Sequence, residues 1–420
     1  MAVDRFVILG NGGAAIYAAR ALRQAGFRGE IHMVADTEGS AFNPMLSPYY
    51  FKGKISWQDC FPFGESFYRD YDIACHFGDA AVSLAASQQE VALVSGKRFS
   101  YDRCLIATGT SPVVPPIPGL RESPRAFPLR NAASALKLET AMRTARKAVV
   151  LGASLVGLEM AEILAKKGIQ VVLLDVVPQV LPRGTHPAIA SILRTYLEEQ
   201  GIEVRLGCTM EGMEETGEGV ACRFSGDVIE QADVVVVCTG VRSNLAFLDR
   251  DEVKMELGVL TDERMRTSVE NLYAAGDASQ TLNLVSGRHD WLGTWGSACY
   301  QGRTAGINMA GKDAVFPGTL PENISPLFSW RYAQMGNIQP RGGETRHVAF
   351  GDPRQGGCGL LALQDDVLAG ANLLNCTHFA GQIRCAILRK WCWEQVRKIG
   401  HFVASVPSGV NGCQERRGIV

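Results

Sequence analysis

Residues 6–22, FVILGNGGAAIYAARAL, and residues 148–164, AVVLGASLVGLEMAEIL, each have the pattern of a strand, a glycine-containing turn and a helix. This order is typical of βαβ units that bind dinucleotides, in which the turn and the helix N-terminus hold a pyrophosphate. A chain with two such motifs is expected to bind two nucleotides. A hydride donor and a flavin each need such a cradle, so the pair predicts electron transfer between two cofactors.

The size and composition are those of a globular protein with balanced charge. The 420 residues are 46% apolar and 20% charged, with a formal net charge of −1. This length predicts two or three domains, and the charge gives no reason to bind nucleic acid or an anionic membrane. The chain enters a strand almost at once, and no apolar run approaches the roughly 18 residues of a membrane span. We therefore expect a cytoplasmic protein with neither kind of partner.

The twelve cysteines form no recognisable metal or redox motif. There is no C-x-x-C pair and no short cluster with metal-ligand spacing. Cys104 and Cys238 lie in apolar, strand-like runs, where a thiol usually packs as a small hydrophobic group. We expect no metal site, and no disulfides in a reducing cytosol.

In the first motif, Gly10, Gly12 and Ala15 occupy the G-x-G-x-x-[G/A] positions. The first glycine permits the tight turn, the second lets backbone amides approach a pyrophosphate, and the small third residue lets the helix pack on the strand. Asp36 ends the next strand, 24 residues after Gly12. A carboxylate at this place can accept hydrogen bonds from the adenosine ribose.

The second motif has Gly152 and Gly157 at its first and third positions, but Ser154 at its middle position. The Ser154 side chain crowds the approach to a pyrophosphate, although its hydroxyl could donate to a phosphate. Asp175 ends the following strand, 18 residues after Gly157, and no arginine follows it directly. A carboxylate there favours the free 2′-hydroxyl of NAD over the 2′-phosphate of NADP.

Five motifs in this order, GNGGAA, IATG, LGASLVGLE, VVCTGVRSN and LYAAGDAS, resemble the pyridine nucleotide-disulfide oxidoreductase superfamily over residues 1 to about 310. The resemblance implies an α/β fold like that of glutathione reductase, with two Rossmann-like dinucleotide-binding domains and a C-terminal α+β interface domain. The implied domains are an FAD-binding domain (1–116 and 245–318), an NAD-binding domain (117–244) and a C-terminal interface or partner domain (319–420).

The resemblance also implies sites for both cofactors. Asp277 would bind the ribityl–pyrophosphate region of FAD, although by itself it could be a helix N-cap. Glu159 would lie near the nicotinamide, although by itself it could be a solvated helix residue. A helix from about Gly296, preceded by Trp291 and Trp295, would direct its N-terminus at the flavin and stabilise the anionic reduced ring. The residues expected at FAD are Gly10, Gly12, Ala14, Ala15, Asp36, Asn43, Thr108, Gly109, Gly276 and Asp277, and those expected at NAD are Gly152, Ser154, Gly157, Glu159, Asp175 and Gly240.

Members of the superfamily that use a thiol carry a cysteine soon after the first acidic residue or a C-x-x-C pair, whereas residues 36–54, DTEGSAFNPMLSPYYFKGK, contain none. Electrons are therefore expected to leave for, or arrive from, a molecule outside the chain. Residues 325–337 and 367–375 resemble the C-terminal domains of rubredoxin reductases and of the flavin modules of assimilatory nitrite reductases, whose partners are iron–sulfur or rubredoxin-type centres.

A basic stretch near the C-terminus fits such a partner. Trp391 and Trp393 are interleaved with Arg384, Arg389, Lys390, Arg397 and Lys398, against the single acid Glu394. This stretch could dock an acidic iron–sulfur protein and speed encounter. The simpler interpretation, which we favour, is a solvated helix face whose tryptophans pack in the core.

These observations predict an FAD-dependent NAD(H) oxidoreductase with an external iron–sulfur partner. No catalytic side chain is expected, because hydride transfer between nicotinamide and flavin needs orientation and not a side-chain acid or base. In a hetero-oligomeric complex the chain would be the NAD-linked flavoprotein subunit of a 2-oxoacid dehydrogenase of phenylglyoxylate type. The alternatives are a stand-alone rubredoxin or ferredoxin reductase or NADH oxidase, such as a homodimer, and a redox-sensing scaffold that binds FAD and NADH without turnover.

Overall fold

The computed structural model describes residues 4–340 and 342–399. The chain divides into two compact units. Unit 1 contains the chain up to Val176 and again Gly201–Thr319, and unit 2 contains Val177–Gln200 and the chain from Leu320 onward. The three-domain division implied by the resemblance stays a prediction.

The strands of the described chain are short, and they are numbered here in chain order. They are β1 (Arg5–Leu9), β2 (Glu30–Ala35), β3 (Ile73–Phe77), β4 (Ala81–Ala85), β5 (Glu90–Leu93), β6 (Arg98–Ser100), β7 (Arg103–Ile106), β8 (Thr110–Pro112), β9 (Ala126–Pro128), β10 (Lys147–Leu151), β11 (Gln170–Asp175), β12 (Glu203–Leu206), β13 (Met210–Glu215), β14 (Val220–Phe224), β15 (Val228–Ala232), β16 (Val234–Val237), β17 (Val241–Ser243), β18 (Val259–Leu260), β19 (Leu272–Ala274), β20 (Ser279–Leu282), β21 (His289–Asp290), β22 (Glu322–Leu327), β23 (Trp330–Gly336), β24 (Thr345–Asp352), β25 (Gly357–Gln364) and β26 (Val367–Leu374).

The α-helices are numbered in the same way. They are α1 (Gly13–Gln24), α2 (Ser47–Phe51), α3 (Ser66–Asp70), α4 (Ala132–Met142), α5 (Leu155–Lys166), α6 (Pro187–Glu199), α7 (Trp295–Met309), α8 (Ala380–Leu388) and α9 (Trp393–Val396). Short 3₁₀ turns lie at Pro44–Leu46, Gln58–Cys60, Gly276–Ala278 and Thr377–Phe379.

The first sheet of unit 1 has five parallel strands in the order β19–β7–β1–β2–β3. Its central strand β1 is apolar on both faces, with Phe6 and Ile8 in one core cluster and Val7 and Leu9 in another. This double burial is typical of a parallel sheet covered on both sides. The strand order reverses at β1, and a ligand crevice is expected at the carboxyl end of such a strand.

The second sheet repeats this plan, with parallel strands in the order β12–β11–β10–β16–β9. The glycines that follow the central strands make equivalent bonds. The Gly10 N–H donates to the Val34 carbonyl at 2.6 Å, and the Gly152 N–H donates to the Leu174 carbonyl at 2.7 Å. The two motifs quoted from the sequence therefore form two equivalent strand–turn–helix units.

Unit 2 is built on an antiparallel sheet in the order β22–β23–β26–β25–β24. Side-chain contacts hold the segment Val177–Gln200, which contains α6, to this sheet. Asn372 on β26 is fully buried, accepts from the His186 N–H and donates to the Gly184 carbonyl, both at 2.8 Å. The Tyr196 ring stacks on Trp330 with a centroid distance of 3.8 Å.

The chain between Ala380 and Val396 forms two helices and not one continuous helix. α8 ends at Leu388, and α9 begins at Trp393. Lys390 adopts a left-handed conformation with φ of +53°, and the Trp391 N–H donates back to the Ala386 carbonyl. This is the way in which many helices end, and the sequence concealed it because glycine usually occupies that position.

The architecture confirms the expected α/β fold class. It has two Rossmann-like parallel sheets and, toward the C-terminus, an antiparallel sheet with helices of the α+β kind. Among residues 4–340 and 342–399, no helix is both long enough and apolar enough to cross a membrane.

Candidate functional site

The first glycine turn leaves room for an anion. Gly10 has φ of +122°, and a Cβ there would lie 2.1 Å from the Ala107 carbonyl oxygen, so only glycine fits. A Cβ on Gly12 would meet nothing within 4 Å. Gly12 is the N-cap of α1, and no side chain caps the free N–H groups there. These unpaired donors and the helix dipole provide a phosphate-binding site.

A cavity of about 410 Å³ opens at this turn, at the carboxyl end of β1. It extends from Asp36, at the end of β2, past Pro44 and Met45 to Trp295 at the start of α7. The predicted FAD residues that line it are Gly10, Gly12, Ala14, Asp36, Thr108, Gly109, Gly276 and Asp277. The structure therefore brings eight of the ten residues predicted for FAD to one cavity.

The other two predicted FAD residues lie behind the cavity wall. Ala15 is fully buried in the core between α1 and the sheet, consistent with its expected packing role. Asn43 is 7% exposed, and its carboxamide oxygen accepts from the Met45 N–H at 3.0 Å. The Asn43 side chain thus shapes the Pro44–Leu46 turn, whose residues Pro44 and Met45 face the cavity.

Asp277 is held by several contacts at the cavity wall. Its carboxylate lies 2.5 Å from the Arg130 guanidinium and 3.4 Å from the Thr110 hydroxyl. Its carbonyl oxygen accepts from the Trp291 indole N–H at 2.7 Å and from the Ser243 hydroxyl at 2.8 Å. The N-cap alternative is excluded, because α7 begins eighteen residues later and is capped by Thr294.

Thr108 and Gly109 are fixed by Asn244, which also lines the cavity. The Thr108 hydroxyl donates to the Asn244 carbonyl at 2.8 Å, and the Asn244 amide donates to the Thr108 carbonyl at 3.0 Å. The Asn244 N–H donates to the Gly109 carbonyl. Gly109 has φ of +64°, as expected for a glycine at a sharp exit from the sheet.

The N-terminus of α7 borders the same cavity. The helix begins at Trp295, one residue before the expected start, and the Thr294 hydroxyl accepts from the Ser297 N–H. Gly293, Thr294 and Trp295 line the cavity. A helix of this length places partial positive charge at its first turn, where it would stabilise a cofactor that becomes negative on reduction.

The second glycine turn is already occupied in part by the protein's own groups. The Ser154 hydroxyl accepts from the Gly157 N–H at 3.3 Å and donates to the Cys238 carbonyl at 2.9 Å. Gly157 permits close packing, since a Cβ there would lie 1.9 Å from the Gly152 carbonyl oxygen. Ser154 therefore caps α5, and its hydroxyl is bonded to backbone groups on both sides.

The remaining residues predicted for NAD lie around this turn. The Asp175 carboxylate accepts from the Ala153 N–H at 2.7 Å, which places it beside the glycine turn. Glu159 is half-buried on α5, close enough to Cys238 that, after burial, it also contributes to raising the pKa of that thiol to about 12. Gly240 is exposed with φ of +104°, and its carbonyl accepts from the Val113 N–H.

Three further residues were not predicted from the sequence. Arg130 and Asn244 line the cavity, and Glu162 forms a buried ion pair with Lys52. Arg130 precedes α4 in a stretch with no glycine pattern, so no local signal marks it. Asn244 closes the quoted motif VVCTGVRSN, and its place beside Gly240 could have indicated a role.

None of the cysteines among residues 4–340 and 342–399 lines the cavity. Cys299, on α7, is the thiol next to Gly13 and Trp295, and burial raises its pKa to about 12. Eleven cysteines, all those in the described ranges, are free thiols. Among the same residues, no group of three or more His, Cys, Asp or Glu side chains could hold a metal ion.

The basic stretch of unit 2 is partly neutralised. Arg384 pairs with Glu322 at 3.1 Å, and Arg397 pairs with Glu394. The Arg346 guanidinium lies over the Trp393 ring at 5.2 Å from its centroid. Within this stretch, the exposed cations that form no ion pair with another described residue are Arg389, Lys390 and Lys398.

Comparison with known proteins agrees with this geometry. The profile of the family described as Pyridine nucleotide-disulphide oxidoreductase matches residues 4–302. The chain is 30% identical to the NADH-dependent phenylglyoxylate dehydrogenase subunit epsilon of Aromatoleum evansii, over 81% of each chain. It is 30% identical to an NADH oxidase of Methanocaldococcus jannaschii, over 77% of this chain and 74% of that protein.

Two further similarities extend this comparison. The rubredoxin-NAD(+) reductase of Pseudomonas putida is 28% identical over 76% of this chain and 83% of its own length. The solved NAD-dependent persulfide reductase from A. fulgidus superposes with a TM-score of 0.87 at 26% identity, covering 93% of this chain and 78% of that one.

Proposed function

Because the chain belongs to the pyridine nucleotide-disulphide oxidoreductase family, we propose that it carries electrons between NAD(H) and an iron–sulfur protein outside the chain. Family membership makes it an oxidoreductase that uses FAD and NAD(H). FAD, when bound, supplies the exchange of a hydride with the nicotinamide and of single electrons with a one-electron partner.

The cavity of unit 1 fits FAD by its own geometry. The uncapped turn at Gly12 offers free N–H groups to a pyrophosphate, and Asp36 stands where a ribose would be held. Arg130 adds a positive charge to the wall, and the first turn of α7 adds partial positive charge. We assign these residues to FAD, and we assign Gly152, Gly157, Asp175, Glu159 and Gly240 to NAD.

The proposal of an electron-transfer partner outside the chain is supported by the chemistry of the cavity lining. A flavoenzyme that reduces its own disulfide needs a thiol against the flavin, and the described residues of the lining include none. The cavity is lined in this region by Pro44 and Met45 of the Pro44–Leu46 turn and by Phe42 and Phe61. None of these groups can accept a pair of electrons, which supports an acceptor or donor outside the chain.

We further propose that the partner is held in a permanent complex, with this chain as the NAD-linked subunit of a 2-oxoacid dehydrogenase. The similarity to the epsilon subunit of phenylglyoxylate dehydrogenase, over 81% of both chains, supports this assignment. Similarity to rubredoxin-NAD(+) reductase supports the same electron transfer with a separate carrier.

The test is the native mass of the protein purified from its own cells, with flavin and iron analysis. Co-purification with iron-containing subunits and one FAD per chain would support the complex. A yellow monomer or dimer without iron that reduces added rubredoxin or ferredoxin would support a separate carrier. Rapid NADH consumption with oxygen alone would instead identify an NADH oxidase, and very slow flavin reduction in a stopped-flow experiment would identify a scaffold.

A further inference from the structure

We infer that Gln301 is a positioning residue that fixes α7 against the Gly276–Ala278 turn and thereby sets the reduction potential of the flavin. The inference rests on the proposed placement of FAD in the cavity of unit 1. Gln301 lies on the second turn of α7, is 2% exposed and does not line the cavity. It therefore acts through the groups that it holds.

The Gln301 carboxamide uses both of its ends. Its oxygen accepts from the Gly276 N–H at 2.7 Å and from the Ser279 hydroxyl at 2.9 Å. Its NH₂ group donates to the Ser297 hydroxyl at 2.9 Å, which in turn contacts the Thr319 hydroxyl at 3.0 Å. A backbone N–H can only donate, so the atom facing Gly276 must be the carboxamide oxygen.

The elements that Gln301 joins are closely packed. A Cβ on Gly302 would lie 2.0 Å from the Ala14 carbonyl oxygen, so α7 is pressed against α1 at the residue next to Gln301. On the other side, a Cβ on Gly276 would lie 3.0 Å from the Ala14 Cβ and 3.3 Å from the Ala298 Cβ. The Gln301 carboxamide thus bonds α7 to the Gly276–Ala278 turn at the place where both pack against α1.

Two electrostatic features of the cavity depend on this arrangement. The first turn of α7 contributes partial positive charge, and Asp277, one residue after Gly276, is held in its pair with Arg130. A cofactor that gains negative charge on reduction responds to the distance and orientation of both. Loosening the Gln301 bonds therefore changes the potential as well as the affinity.

The test compares two substitutions in the flavin-loaded protein. Gln301→Met keeps the size but leaves the Gly276 N–H unpaired, and the dissociation constant of FAD is expected to rise roughly tenfold. Gln301→Glu is nearly isosteric. As a neutral acid it can make all the wild-type bonds, and once ionised it adds a negative charge behind the cavity.

The flavin midpoint potential is measured against pH for the wild type, both variants and the exposed control Gln24→Glu. Gln301→Met is expected to differ from the wild type at every pH. Gln301→Glu is expected to match the wild type at low pH and to become more negative as the new carboxyl ionises, while the control matches throughout. Coinciding potentials for the wild type and both Gln301 variants would overturn the inference. A protein that binds no FAD would instead overturn the proposed function.

Discussion

The Nζ atom of Lys52 lies 2.8 Å from the Glu162 carboxylate, so a buried ion pair joins the end of α2 to α5. The Lys52 and Glu162 side chains are only 10% and 2% exposed, and the second Glu162 oxygen binds Lys166 at 2.7 Å. Burial by itself raises the pKa of Glu162, but the hydrogen bonds from Lys166 and Lys52 outweigh it and hold the pKa below its ordinary value.

Lys52→Met is expected to lower the free energy of unfolding by about 3 kcal/mol at neutral pH, since it breaks a buried pair while Lys166 remains. Because the folded pKa of Glu162 is depressed, this contribution is present above its unfolded pKa of about 4.3 and is lost as the pH falls through the folded pKa. Urea unfolding at pH 7 and below pH 4 measures both effects.

The control for this substitution is Lys54→Met, two residues further on and exposed. It should change stability by less than about 0.5 kcal/mol. A Lys52→Met variant that is as stable as the control at pH 7 would contradict the role of the pair.

Ser154→Ala separates capping from coenzyme binding. Because the hydroxyl accepts from the Gly157 N–H and donates to the Cys238 carbonyl, its loss should cost about 1 kcal/mol of stability. The same loss should leave the NADH dissociation constant within about twofold, since no phosphate contact is removed. Chemical unfolding and NADH titration measure the two quantities. A tenfold loss of NADH affinity with unchanged stability would show that the hydroxyl binds phosphate after all.

Asp175 is expected to exclude NADPH. Its carboxylate is fixed beside the glycine turn by the Ala153 N–H, and a 2′-phosphate there would face a like charge. Asp175→Ala should therefore lower the ratio of kcat/KM for NADH to that for NADPH by about tenfold or more. Asp175→Asn keeps an acceptor for Ala153 and tests the charge alone. An unchanged ratio in both variants would mean that the adenosine ribose binds elsewhere.

Arg130 is expected to matter for the binding of FAD. Its pair with Asp277 lies at the cavity wall, so Arg130→Met removes a charge from the FAD site. The dissociation constant of FAD should rise by roughly ten- to a hundredfold, the usual range for a lost hydrogen bond to a charged group. The control Arg143→Met removes a similar charge from an exposed position after α4. Equal FAD affinity of the two variants would contradict the assignment.

The sequence was sufficient to predict both glycine turns because glycine at the end of a buried strand leaves a local signature. It located Asp277 from its motif but not its partner Arg130, which lies 147 residues away along the chain. The hydrogen-bond partners of polar side chains were harder to predict from the sequence. Asn43 and Ser154 have residue types that bind either a ligand or their own backbone, and only the structure shows that both bond to backbone groups.

Because α6 is attached to the sheet of unit 2, the chain cannot be truncated before that sheet without affecting α6. A chain ending at Thr319 would keep α6 but lose Asn372 and Trp330, which hold that segment. The apolar side chains Ile189, Leu193 and Leu197 of α6, all buried, would then be left facing water. Shortened versions should therefore aggregate. A chimera that exchanges unit 2 between relatives would have to transplant two separate stretches of sequence together.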